Sequence, residues 1–134
     1  MLLELNKKSE EQCMKILLID DEPVVLRVLQ MLLKSLAKDL NLELILTPFT
    51  DPRQAVEALK TGKFDLVISD WNMPNISQWS LVKKIREICP KIQVIIVSGG
   101  LSSSDKLSLR TARIGCVAKP VLPSDLRLAI EKAS

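Results

Sequence analysis

The chain contains no histidine and no tyrosine. The first absence argues against a histidine-based catalytic triad and against a zinc site, since imidazole serves as general base in the one and as a frequent ligand in the other. Cysteine is scarce as well. Cys13, Cys89 and Cys116 form an odd set without metal-ligand spacing, so three free thiols in a reducing, cytoplasmic setting are expected. Aromatic residues make up only 3% of the chain, which leaves aliphatic side chains to fill any core. An excess of one charge is also missing: 19 basic against 16 acidic residues give a net charge of +3. With no basic run, direct nucleic-acid binding is not expected. The first residues carry Glu4, Lys7, Lys8, Glu10 and Glu11 and hold no apolar stretch long enough for a signal peptide or a membrane span. No membrane contact is expected.

What is present is a regular alternation. At 134 residues, 47% of them hydrophobic, the chain suits one α/β domain. Residues 1–14 precede the first strand as an N-terminal extension, partly ordered if Leu2, Leu3 and Leu5 dock, and the domain spans 15–134. Lys15–Ile19 is a short continuous apolar run, as in a strand buried on both faces. Pro23 suits the first turn of a helix, and Val25, Leu29, Leu32, Leu33 and Leu36 recur at helical spacing over Val24–Lys38. Leu42–Thr47 alternates apolar and polar residues, which predicts an edge strand. Asp51 is placed to cap a helix from Pro52 to Lys60 that Gly62 closes. Phe64–Ser69 is the third strand, followed by a helix over Ile76–Ile88 that stops at Pro90. Ile92–Val97, the most apolar strand, belongs at or near the centre. A polar helix over Ser102–Arg113, a short second edge strand at Cys116–Ala118 and a helix over Pro123–Ala133 complete five βα units.

Strands separated by helices pair in parallel, and a parallel sheet presents all its carboxyl ends at one edge, where open α/β sheets place their sites. Four of the apolar runs end there on chemically useful residues: Asp20-Asp21, Asp70, Ser98 and Lys119. If the strand order reverses between the first and third strands, Asp70 faces the acid pair across the crevice. Acids at position 20–22 also complement the positive end of the following helix, worth about 0.3–1 kcal/mol each. That suffices for Glu22 but not for two adjacent aspartates at a buried strand end, whose repulsion needs an offset. Three aspartates against one lysine leave two negative charges in excess, which a single divalent cation cancels. Magnesium takes hard oxygen ligands, keeps several waters and needs only two or three carboxylates. A lone lysine is usually a solvated one; Lys119, ending an apolar strand and followed by Pro120, is better placed to aim into a site. Ser98-Gly99-Gly100 is common turn chemistry by itself, and gains meaning only beside the other strand ends. The constellation suits a divalent cation and a phosphoryl group.

These residues resemble a known family. Ile19-Asp20-Asp21-Glu22-Pro23, Asp70-Trp71-Asn72-Met73-Pro74-Asn75 and Lys119-Pro120 are similar to the motifs of response-regulator receiver domains of two-component signalling, particularly the single-domain, CheY-like chemotaxis regulators. The resemblance covers Lys15 to Ala133. It implies a flavodoxin-like, doubly wound sheet of five parallel strands in the order 2-1-3-4-5, with helices on both faces. It implies Asp70 as phosphoacceptor, charged by the phosphohistidine of a sensor kinase or phosphotransfer protein, or by a small phosphodonor. It implies Mg²⁺ held by Asp20, Asp21, Asp70 and the backbone carbonyl of Asn72, with Ser98 and Lys119 on the phosphoryl oxygens. A downstream protein partner is expected on the Ser102–Arg113 helix, the last strand and the last helix. Such a domain catalyses only its own phosphorylation and dephosphorylation.

Three positions depart from the family pattern. The aromatic that usually stands three residues before the lysine is Cys116, the glycine usual in the loop after the phosphoacceptor is Gln78, and the residue after the proline, often Phe, is Val121. Two rival readings follow from the same residues. One is a receiver-like adaptor that is never phosphorylated, suggested by Cys116. The other is a phosphatase of the haloacid-dehalogenase type, which would need an Asp-x-Asp motif where this chain has Asp20-Asp21-Glu22.

Overall fold

A computed structural model describes residues 13–74 and 76–133. The expected N-terminal extension lies outside the described residues apart from its last two, Cys13 and Met14, which belong to the first strand. Strands and helices alternate: β1 (Cys13–Ile19), α1 (Pro23–Leu40), β2 (Glu43–Phe49), α2 (Pro52–Thr61), β3 (Leu66–Asp70), α3 (Gln78–Ile88), β4 (Gln93–Ser98), α4 (Ser103–Thr111), β5 (Gly115–Ala118) and α5 (Pro123–Ala133). The strands form one parallel sheet in the order β2-β1-β3-β4-β5, as the resemblance implied.

The continuous apolar strands conceal a period of two. Met14, Ile16 and Leu18 of β1, Leu66 and Ile68 of β3 and Ile95 and Val97 of β4 join the core that contains Leu26, Leu29 and Leu33 of α1 and Leu126 and Ile130 of α5. Leu17 and Ile19, Val67, and Val94 and Ile96 turn the other way, onto Leu59 of α2, Leu81 and Ile85 of α3 and Leu109 of α4. Each strand therefore carries two apolar faces because each face meets a helical layer. On α1 the buried stripe is Leu26, Leu29, Leu33, Leu36 and Ala37, while Val25 and Leu32 are only half buried, so the stripe is turned slightly from the one read off the spacing.

The caps explain several boundaries. Asp51 accepts a hydrogen bond from the Arg53 N–H at 2.9 Å and Ser102 accepts one from the Asp105 N–H at 3.0 Å, fixing the starts of α2 and α4. Pro23 and Pro52 occupy first-turn positions that need no N–H donor. Gly62 does end α2, but in extended backbone at φ −102°. A Cβ there would stand 3.0 Å from the Phe64 ring and 3.1 Å from the Ala58 carbonyl oxygen, so a larger residue would have to push its neighbours aside. After α4 the left-handed residue is Arg113 (φ 60°), and Gly115 already belongs to β5. β2 runs on through Pro48 to Phe49, which an edge strand tolerates. α3 starts two residues later than the spacing predicts, because Ser77 stays extended as its N-cap.

Candidate functional site

The right edge of the sheet for a site is the one where β1, β3, β4 and β5 end, and the register brings those ends level. Asp70 pairs with Val97, and Ser98 with Ala118, so Asp70, Ser98 and Lys119 follow one another across neighbouring strands. Asp20 lies just past β1, its N–H held by the Phe49 carbonyl at 3.2 Å. Asp20, Asp70 and Ser98 are only 3%, 4% and 3% exposed. Asp21 is half buried, at the mouth.

The predicted side chains meet. One carboxylate oxygen from each of Asp20, Asp21 and Asp70 lies within 4.8 Å of the others. The Lys119 Nζ donates to Asp70 Oδ1 at 2.8 Å, across 49 positions of sequence. The Asn72 N–H reaches the same oxygen at 3.3 Å. Ser98 Oγ accepts from the Gly100 N–H at 3.2 Å, which folds the loop after β4 back over the strand end. The Lys119 N–H donates to the Ser98 carbonyl at 2.9 Å and carries the β4–β5 pairing up to the site.

Two features escaped the sequence. The Asn72 side chain, not only its backbone, takes part: Nδ2 donates to Ser98 Oγ at 3.5 Å. No spacing rule links positions 72 and 98; only the adjacency of β3 and β4 does. The second is an apolar hollow of about 290 Å³ beside the acids, walled by Val24, Val25, Val28, Pro120 and Val121 and reaching Asp70 and Lys119. The valines after Pro23 read as helix filling, and their proximity to Val121 depends on the loop after β5 passing beside α1.

This environment sets the titration. Burial pushes the Asp20 carboxyl up to about 6, and the charges of Asp70 and Asp21 push the same way. The Glu22 N–H, donating to Asp20 Oδ1 at 2.9 Å, and the Lys119 ammonium offset part of this. For Lys119, burial works to lower the ammonium, but the hydrogen bond and charge of Asp70, with Asp20 and Glu22, outweigh it and hold it above the usual lysine range. One cation thus faces three carboxylates, and the acids are left under-compensated. Hard oxygen donors so grouped fit a magnesium ion, which would remove the strain that Asp20 registers.

The model of the response regulator receiver domain matches residues 16–131. The chain belongs to that family. Chemotaxis protein CheY-3 of Vibrio cholerae serotype O1 is 30% identical over 122 residues, covering 89% of this chain and 90% of its own length. The sensor histidine kinase RcsC of Escherichia coli is 30% identical over 114 residues, 84% of this chain, which correspond to 11% of that kinase. Among solved structures, a response regulator receiver domain protein from Clostridium thermocellum superimposes with a TM-score of 0.76 at 27% identity, covering 90% of this chain and 93% of that one. Vibrio cholerae CheY4 gives the same TM-score at 22% identity, over 91% of this chain and 99% of its own, and so shares the fold. This CheY-like receiver domain is thus of the two-component signalling class. Receiver domains are in general signalling domains rather than enzymes, bind Mg²⁺, and meet histidine kinases or phosphotransfer proteins on one side and downstream proteins on the other.

Proposed function

We propose that this receiver domain accepts a phosphoryl group on Asp70 in a Mg²⁺-dependent reaction and thereby alters its affinity for a downstream protein. The observation that carries the reading is the meeting of Lys119 with Asp70 at 2.8 Å inside a cluster of three carboxylates. In the reaction an Asp70 oxygen attacks the phosphorus of a phosphohistidine on a kinase or phosphotransfer protein. The new O–P bond forms as the P–N bond breaks, and the imidazole leaves with the bonding pair. Asp20, Asp21, Asp70 and the Asn72 carbonyl are the groups that would hold Mg²⁺. When bound, the ion supplies positive charge to the phosphoryl oxygens and to the carboxylates that crowd them.

The chain's own residues position the transfer. Burial between β1 and β4 leaves the Asp70 carboxylate few orientations, and the Asn72 N–H and Lys119 Nζ fix one oxygen. The Lys119 ammonium, held protonated by its neighbours, exchanges part of its bond to Asp70 for one to the phosphoryl group. Ser98 supplies a hydroxyl donor from the end of β4, its oxygen remaining free to accept from the Gly100 N–H. The cytoplasm is the setting for such an exchange, and no helix among the described residues is long and apolar enough to cross a membrane.

The test is intact-protein mass spectrometry after incubation with acetyl phosphate. A phosphoryl adduct that forms with Mg²⁺ and disappears with EDTA is expected. An unmodified protein under saturating donor and metal would favour the unphosphorylated adaptor, and steady release of phosphate from a phosphomonoester would favour a phosphatase.

A further inference from the structure

The two edges of the sheet are protected differently. β2 carries the exposed Glu43 and Pro48, a charge and a proline of the kind that discourages strand addition. β5 reads Gly115-Cys116-Val117-Ala118, without charge or proline, and three of these four short residues are exposed. Backbone groups alternate sides along a strand. Since the Lys119 N–H bonds to β4, those of Val117 and Gly115 face β4 too, and the N–H and C=O of Cys116 and Ala118 point away from the sheet. They have no backbone partner among the described residues.

A groove of about 710 Å³ runs along this open edge between α4 and α5. Four cations line it, Lys106, Arg110, Arg113 and Lys132, and among the described residues none that lines it is acidic. None of the four has an ion pair among the described residues. Ser98 and Gly99 close one end, so the groove abuts the site.

We infer that β5 is a docking edge for an extended acidic segment of a partner protein, which adds as a sixth strand and pairs its carboxylates with the flanking cations. Charge decides the occupant. A second copy of the chain, paired edge to edge, would bring two sets of these cations together and is disfavoured. The inference rests on the proposed switching of affinity for a downstream protein and specifies what that partner must bring: main-chain donors and acceptors, and negative charge. The small residues of β5 let a foreign backbone approach, and the short Cys116 side chain leaves the groove open beside it.

The probe is a dye-labelled peptide of alternating glutamate and valine, titrated by fluorescence anisotropy against the whole chain with amide exchange followed by NMR. Binding is expected to slow exchange at Cys116 and Ala118 and to be lost when the peptide backbone is N-methylated throughout. The double substitution Lys106→Glu, Arg110→Glu, both on an exposed face, should weaken it about tenfold. No binding, binding that survives N-methylation, or binding without protection of those two amides would overturn strand addition. So would self-association of the free chain through β5 in sedimentation. The same samples are titrated with beryllofluoride while Trp71 emission is recorded. A response there without peptide binding sinks only the docking edge; peptide binding without that response sinks only the phosphoacceptor reading.

Discussion

Lys119 Nζ and Asp70 Oδ1 lie 2.8 Å apart, and they differ in burial: the lysine side chain is 30% exposed and the aspartate's is 3% exposed. The pair joins the ends of β3 and β5 across β4, so it is both an ion pair and a tie between strands that do not touch. Its removal affects stability and chemistry in different ways.

Lys119→Ala leaves a buried carboxylate facing Asp20 with its cation gone. A loss of about 1–3 kcal/mol is expected, below the figure for a fully buried pair because water reaches the lysine. Asp70→Asn, which relieves repulsion instead, should stabilise the metal-free protein. Urea denaturation of both variants and of the double substitution checks this: the second change should cancel most of the first.

Asp20 makes stability depend on pH. Its folded carboxyl titrates at about 6 against an ordinary value of 3.8. Its neutral form therefore favours folding below about pH 4, and that contribution drains away as the pH rises through 6 and is gone above it. Asp20→Asn should match the metal-free wild type in acid and exceed it by about 3 kcal/mol at pH 8. Saturating Mg²⁺ should reverse the advantage. Denaturation midpoints from pH 4 to pH 8, with EDTA and then with Mg²⁺, decide it.

Trp71 follows Asp70 and stacks edge-on against Trp79, centroids 5.5 Å apart. Mg²⁺ and then beryllofluoride should change the tryptophan emission. Trp79→Phe should keep the response and Trp71→Phe should lose most of it. The opposite pattern would mean that the signal arises at the start of α3 and not at the site.

Much of this was legible in the residues. Asp20, Asp70, Ser98 and Lys119 stand out because each ends an apolar run, and in a parallel sheet the ends of runs must converge. Asp51 and its neighbouring proline announced α2 for a local reason. What stayed hidden depends on contacts between elements. The Asn72 side chain finds Ser98 only because β3 lies beside β4. Gly115, just beyond the predicted Ser102–Arg113 helix, lies within β5, where an added Cβ would stand 3.3 Å from an Ile95 side-chain carbon. The turn fell to Arg113. Lys106, Arg110 and Arg113 stand on one predicted helix, but only the fold brings Lys132 of α5 to the same groove.

Activation should pass through the loop after β4. The Gly100 N–H donates to Ser98 Oγ at 3.2 Å, so any shift of that oxygen toward a phosphoryl group pulls on the loop it anchors. Beryllofluoride should therefore produce its largest amide-exchange change over 98–113 and a smaller one over 116–118. Cys116→Tyr should leave Asp70 phosphorylation nearly intact while altering partner affinity. Exchange changes centred on Cys116, or loss of phosphorylation in a folded Cys116→Tyr protein, would contradict this route.

The central claim is that Asp70 itself carries the phosphoryl group. Borohydride reduces an aspartyl phosphate to homoserine, which marks the residue permanently for peptide mapping. After acetyl phosphate and Mg²⁺, the account predicts homoserine at position 70, absent with EDTA and absent in Asp70→Asn. Homoserine at position 20 or 21 instead, or an unreduced position 70 in a protein that carries phosphate elsewhere, would contradict it.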